Sequence, residues 1–380
     1  MLNWSEGGVA FSARWHSERG AAPPRRVVIA DDGTTADHAY ALACQGTGLV
    51  WRGDFQNARQ LLNALASRTD REPRKAKKPA TTPAALSGVD AFNLHRQAQS
   101  QRARTLGMLL IQLDADYGIP LRRAPDLRQA CTEAYGVGDH PSVVSLRELL
   151  GVVGAHEWRV NGIEVPAIGG RIHPHYGVFA PIRREYVDLV ARAPLPAVAP
   201  SIDLAFDVGT GTGVLAAVLA RRGLRHVIAT DVDPRALACA RENIERLGLA
   251  AQVEVTNADL FPDGRAGVVI CNPPWVPARP SSPLEHGIYD PESRMLLGFL
   301  KGLAAHLAPG GEGWLVLSDL AERLGLRSRA DLTSAIDAAG LKTVDRIDVR
   351  PTHPRVFDRA DPFHAARAAE VTSLWRLAAR

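Results

Sequence analysis

The stretch Val269-Ile270-Cys271-Asn272-Pro273-Pro274-Trp275 constrains this chain most. An apolar run of this length reads as a buried strand. Two successive prolines then end it, because neither carries the backbone N–H that a sheet ladder needs. The strand therefore stops at Asn272, and the residues after it stand rigidly at its C-terminal edge. In open α/β sheets that edge is where ligands sit. Taken alone, Asn-Pro-Pro-Trp is also an ordinary turn, since Pro and Asn dominate turns.

The chemistry that suits such a corner is methylation of a planar nitrogen. An amide or exocyclic base nitrogen is a poor nucleophile, presents N–H donors and has a flat face. The Asn272 side-chain oxygen and the Pro273 carbonyl can accept those hydrogens, while Pro274 offers no competing backbone donor. The ring of Trp275 can stack on the flat group. Holding the nitrogen in line with an electrophilic methyl is catalysis by positioning.

Upstream, from Asp203, the chain alternates strand and helix, the pattern of a doubly wound parallel sheet. Strands are expected near 203–208, 226–230, 252–256, 267–271 and 313–318, with helices near 213–222, 234–247 and 293–307. Further signals follow at 328–339, 342–349 and 369–377. The first strand ends Phe206-Asp207-Val208-Gly209-Thr210-Gly211-Thr212-Gly213. Closely spaced glycines let a backbone approach a ligand, and the helix start supplies unpaired N–H donors. The spacing departs from the dinucleotide fingerprint, whose third glycine would fall at Val214. The second strand ends at Asp231, placed to accept from both hydroxyls of a ribose. After the third, Asp259 is placed to accept from an exocyclic adenine amine, with Leu260 beside the ring. The fourth delivers Asn272.

In these motifs the chain resembles class I S-adenosylmethionine-dependent methyltransferases with an Asn-Pro-Pro-aromatic motif. The similarity runs from about residue 170 to 350 and is strongest to bacterial glutamine methyltransferases of release factors or a ribosomal protein. Adenine-N6 and guanine-N2 methyltransferases share the motif. The resemblance implies a Rossmann-like seven-stranded sheet, S-adenosyl-L-methionine as cofactor, no metal, and direct transfer of the methyl group. It implies that Asp207, Gly209, Thr210, Gly211 and Gly213 surround the methionine part, Asp231 the ribose, and Asp259 with Leu260 the adenine. Asn272, Pro273, Pro274 and Trp275 would form the catalytic corner, and Phe179 and Pro181 would cover the cofactor. One departure is that the release-factor enzymes generally carry Tyr where this chain has Trp275; the larger face favours a larger planar target such as a base.

Four regions are expected. Residues 1–66 read as a small α/β segment whose first 25 residues are irregular. A basic, proline-bearing linker occupies 67–88. Residues 89–168 read as a helical recognition region, with a long helix or helix pair over 89–117, helices near 126–135 and 142–153, and a hairpin at Asn161-Gly162. A winged-helix-like, nucleic-acid-binding module is the alternative there. The methyltransferase domain fills 169–380, with a proline-rich hinge at Pro194–Pro200 before its strand–helix alternation begins at Asp203. His173 and His175 flank Pro174 without a carboxylate motif and read as structural.

Composition narrows the class. The net charge of +4 and pI near 9.0 permit an anionic partner without demanding one. Four widely spaced cysteines show no C-x-x-C pair, against a zinc or disulfide framework and in keeping with a reduced, cytoplasmic setting. The first residues show no basic-then-apolar signal pattern and no apolar run reaches bilayer-spanning length, so neither a secretory signal nor a membrane span is expected. The function these features imply is N-methylation of a macromolecular target, a translation-related protein (its glutamine amide) or an RNA base amine. A binding protein that keeps the pocket without activity is the alternative, and intact Asn272, Pro273 and Pro274 speak against it.

Overall fold

The computed structural model describes residues 1–70, 88–196 and 203–380. The chain divides into two compact units, Met1–Glu157 and Trp158–Arg380.

The first unit opens with a hairpin, β1 (Leu2–Glu6) and β2 (Val9–Trp15). The first residues are therefore ordered strand, where the sequence reading had none. The signal was present: Gly7-Gly8, both with positive φ (58° and 83°), makes a two-residue turn between strands. There follow β3 (Arg26–Ala30), α1 (Ala36–Cys44), β4 (Thr47–Trp51), α2 (Phe55–Thr69) and α3 (Gly88–Leu106). Leu61, Leu62 and Leu65 are buried along α2, as their spacing predicts. Of the linker expected at 67–88, residues 67–69 belong to α2 and Gly88 to α3, and 71–87 lie outside the described residues.

Next come β5 (Leu109–Leu113), α4 (Arg128–Tyr135), β6 (Ser142–Ser145) and α5 (Leu146–Asn161). Two expectations change here. The long helix over 89–117 ends at Leu106, and Leu109–Leu113 is a strand. Ser142–Ser145, expected to start a helix, is a strand too. Short strands buried on both faces carry no period-2 signal and read like buried helix. All six strands share one sheet, in the order β1-β2-β6-β5-β4-β3. Described residues on either side of 71–87 thus build one sheet and core rather than a segment and a separate helical region.

The division between the units falls inside α5. Asn161-Gly162 does not turn a hairpin: α5 runs to Asn161, and Gly162 (φ 64°) ends it, its N–H donating to Trp158 O at 2.8 Å. The hairpin comes one step later, with β7 (Ile163–Val165) antiparallel to β8 (Gly170–Ile172) around a turn at Pro166–Gly169. α6 (Arg184–Arg192) follows. Pro194 begins the expected hinge, of which 197–200 lie outside the described residues.

The alternation then runs as read: β9 (Leu204–Val208), α7 (Val214–Arg221), β10 (His226–Asp231), α8 (Pro234–Arg246), β11 (Val253–Asn257), β12 (Ala266–Cys271), α9 (Arg294–His306) and β13 (Leu307–Ser318). Short α10 (Leu320–Arg323), α11 (Arg329–Ala338), β14 (Leu341–Val349), short α12 (His364–Ala368) and β15 (Thr372–Ala379) complete it. Pro309-Gly310-Gly311 lies within the span of β13, where the register against β12 shifts between Ala266↔Leu307 and Val268↔Glu312.

The second sheet has seven strands in the order β11-β10-β9-β12-β13-β15-β14. β9 to β13 pair in parallel, and β15 runs antiparallel to both β13 and β14. β12 is buried throughout. Val268 and Ile270 enter a core with α6 and α7, whereas Val269 and Cys271 enter another with α9 and α11. That is period-2 alternation between two covered faces, as a parallel sheet requires.

Candidate functional site

The parallel strands β9, β10, β11 and β12 end at one edge of the sheet. After β9 the chain must turn sharply into α7. Gly209, Gly211 and Gly213 all take positive φ (73°, 55° and 81°), a conformation side chains resist. Gly209 N–H and Thr210 N–H both donate to Thr230 O, at 2.9 and 2.8 Å, which hangs the loop from the end of β10. A Cβ on Gly209 would meet the Met295 side chain, and one on Gly213 would press on the α8 backbone at Ala240. A Cβ on Gly211 would meet nothing within 4 Å.

Two carboxylates fix this loop. Asp207 is buried, and its Oδ2 accepts from Thr210 Oγ1 at 2.6 Å and Ala216 N at 2.9 Å. Burial pushes its carboxyl up to about 6, against the pull of those two donors. At the end of β10, Asp231 accepts from Gly211 N at 3.0 Å and Asp233 N at 3.0 Å. Desolvation raises its carboxyl as well. The donors on both acids are neutral.

After β11, Leu260 has φ 75°, unusual for a bulky residue. It is held there by Thr230 Oγ1, which donates to Leu260 O at 2.5 Å. A Cβ on Gly298 of α9 would collide with the Leu260 side chain, so the glycine makes room for it. Asp259 is exposed and pairs with Arg294 at 3.1 Å. That ion pair was not legible in the sequence.

At the end of β12, Asn272 is half-buried and Pro273 buried. Trp275 Nε1–H donates to Asn272 Oδ1 at 2.8 Å. The Arg183 guanidinium covers the Trp275 ring at 4.8 Å from its centre. Arg183 is itself paired with Glu185 at 2.6 Å and Glu370 at 2.9 Å, both buried.

Further residues join the site through packing alone. Asp290 is buried and accepts from Met295 N at 3.0 Å and Leu296 N at 3.1 Å, starting α9. An acid just before Pro291 and a helix is a capping signal in the sequence. Phe179 packs against Gly287, whose missing Cβ would lie 2.5 Å from it, so the 177–181 segment meets the loop after Trp275. His173 and His175 anchor the fold nearby. The first meets Arg159 O through Nδ1 at 2.6 Å, and the second meets Glu242 through Nε2 at 2.7 Å. All four cysteines are free, and no helix among the described residues is long and apolar enough to cross a membrane.

The model of the methyltransferase small domain family matches residues 169–324. The release factor glutamine methyltransferase of Cereibacter sphaeroides is 34% identical over 153 residues, 36% of this chain and 52% of that protein. The ribosomal protein L11 methyltransferase of Pelotomaculum thermopropionicum is 36% identical over 144 residues, 37% of this chain and 39% of that protein. A second release factor glutamine methyltransferase, from Moorella thermoacetica, is 35% identical over 142 residues, 35% of this chain and 50% of that protein. The chain spans about half or less of these relatives' length. The matched stretch, residues 169–324, contains the glycine loop, Asp231, Leu260 and the Asn272 corner.

Proposed function

We propose that this chain, whose second unit carries a methyltransferase small domain, transfers a methyl group from S-adenosyl-L-methionine to a planar nitrogen of a macromolecular target. The observation that carries this reading is the convergence of Gly209–Gly213, Asp231, Leu260 and Asn272-Pro273 at the ends of four neighbouring strands. The donor set fits the cofactor chemically. Two desolvated carboxylates, bonded only by neutral donors, suit a ligand that carries positive charge and ribose hydroxyls. The open space at Gly211 suits close approach by such a ligand.

S-adenosylmethionine supplies an electrophilic methyl on a sulfonium, with its leaving group built in. The protein's share is to bind, orient and polarise. Asp231 accepts from the ribose, Asp207, Gly209, Thr210, Gly211 and Gly213 enclose the methionine part, and Leu260 lies against the adenine. Arg294 pairs with Asp259 through Oδ2, and Oδ1 is the oxygen that meets the adenine amine. Asn272 Oδ1 and Pro273 O accept from the target nitrogen and aim its lone pair, Pro274 keeps the corner rigid, and Trp275 lines it. The proton leaves late, to solvent.

Two relatives are named for glutamine and one for a ribosomal protein, which supports a protein target related to translation. A base amine in RNA is the second reading, since base-amine methyltransferases share the Asn-Pro-Pro-aromatic motif. The test uses purified protein, radiolabelled S-adenosylmethionine and lysate from cells lacking the enzyme, with protein and RNA counted separately. Label in one protein band supports the first reading and label in RNA the second. Asn272→Ala should slow transfer about 100-fold or more, as for other oriented hydrogen-bonding groups. Unchanged turnover in that variant would refute the mechanism. Binding of S-adenosylhomocysteine with no transfer to either fraction would point to an inactive binder.

A further inference from the structure

The contact between Trp275 and Asn272 assigns a task to the aromatic residue beyond lining the site. An indole N–H only donates. At 2.8 Å from the Asn272 side chain it must face the oxygen and not the amide nitrogen. The two ends of an asparagine amide are nearly equal in size and opposite in polarity. Turned the wrong way, Asn272 would present two donors to a target nitrogen that is itself a donor. The indole bond selects the productive rotation. It uses one lone pair of Oδ1 and leaves the other, so Asn272 takes one target N–H and the Pro273 carbonyl is left for a second.

The indole is in turn fixed. Arg183 lies over its face at 4.8 Å. Its guanidinium is held between Glu185 and Glu370, and Glu370 also accepts from Ser318 Oγ. Glu370 is 1% and Glu185 6% exposed, so both carboxylates are anchored in the core. The ring also packs on both cores of the unit. A ring needed only as a platform for a flat target would not require its N–H to be spent on the neighbouring asparagine.

We infer that Trp275 is a positioning residue, which fixes the Asn272 amide in its productive rotation, and that Arg183, clamped by Glu185 and Glu370, holds the indole in place for that purpose. The inference rests on the methyltransferase reading above.

Trp275→Phe keeps a ring and deletes the N–H. Assayed with radiolabelled S-adenosylmethionine and titrated amounts of the lysate fraction that accepts label, it should lower the maximal rate about 10- to 100-fold, the scale of a small misplacement of a reacting group. The half-saturating amount of that fraction and the affinity for S-adenosylhomocysteine should stay within about threefold, which also shows that the variant folds. Asn272→Ala and Trp275→Phe combined should be no slower than Asn272→Ala alone, because they act through one oxygen. Independent of turnover, the Trp275 indole N–H should exchange slowly with solvent in the wild type, and faster in Asn272→Ala and in Arg183→Met. A Trp275→Phe enzyme of normal maximal rate but weakened saturation would overturn the inference in favour of stacking. So would multiplying losses in the double variant, or an indole N–H that exchanges fast in the wild type. A wild type that binds S-adenosylhomocysteine and labels nothing would instead sink the underlying reading.

Discussion

The hydroxyl of Thr210 donates to Asp207 Oδ2 across 2.6 Å, joining the last turn of β9 to the glycine loop that follows it. Both residues are buried. Thr210→Val keeps the shape and removes the donor, leaving a buried carboxylate one bond short. The expected loss is about 1–3 kcal/mol in urea unfolding at neutral pH. Thr210→Ser should recover most of it.

Burial holds the Asp207 carboxyl at about 6 in the folded protein, above its ordinary value of 3.8. A raised acid favours the folded state where it is protonated. Its contribution is therefore full below about pH 4 and is lost as pH rises through 6, a change of roughly 3 kcal/mol at about 1.4 kcal/mol per unit. Asp207→Asn cannot ionise. Subtracting its stability from that of the wild type across pH 4 to 7 should leave a curve that falls with rising pH. A flat difference would show that Asp207 titrates normally.

Gly209 and Gly211 share the left-handed conformation but not the same surroundings. Either substitution by Ala should cost about 1–2 kcal/mol for backbone strain. Gly209→Ala also drives Cβ to within 2.3 Å of Met295 Cε, so it should be the less stable of the two by thermal melting. Gly211→Ala points into open space, where the proposed function places the cofactor. It should weaken S-adenosylhomocysteine about 10-fold or more, measured by calorimetry, with only its strain cost in stability.

Asn243 in α8 is fully buried and serves three backbone groups. Oδ1 accepts from His173 N at 2.8 Å, and Nδ2 donates to Thr212 O at 3.0 Å and His173 O at 3.3 Å. Asn243→Ala removes all three bonds and leaves His173 O with only the long contact from Cys239 Sγ at 3.5 Å, and a loss of about 3 kcal/mol in urea unfolding is expected. Because Thr212 sits in the glycine loop, weaker S-adenosylhomocysteine binding should accompany it.

Glu242 ties the same helix to the segment before the sheet. Burial by itself would raise its carboxyl, but hydrogen bonds from Arg246 and His175 and the charge of Arg159 outweigh that and hold it at about 2. A lowered acid stabilises the fold above its ordinary value of 4.5 and gives that stability up as pH falls toward 2. Glu242→Gln should therefore destabilise at pH 7 and converge on the wild type in acid unfolding.

The sequence by itself determined the second unit. Its central strands β9 and β12 are largely apolar runs followed by residues that break a ladder, Gly209 and Asn272-Pro273. Those are local facts, set by backbone sterics and by which residues can pair in a ladder, and so they were legible. The first unit was less so. Leu109–Leu113 and Ser142–Ser145 are short and buried on both faces, and only their neighbours in the sheet make them strands. The site divides in the same way. Asp207, Asp231 and Asn272 announce themselves by position. Arg183 over Trp275 lies 92 residues away in sequence, and Glu370 lies 187 residues beyond Arg183. No spacing rule connects such residues; they meet because α6 and the strand pair β13–β15 pack beside the end of β12. The tertiary structure alone decided that the indole N–H would face Asn272, since the choice depends on what holds the ring.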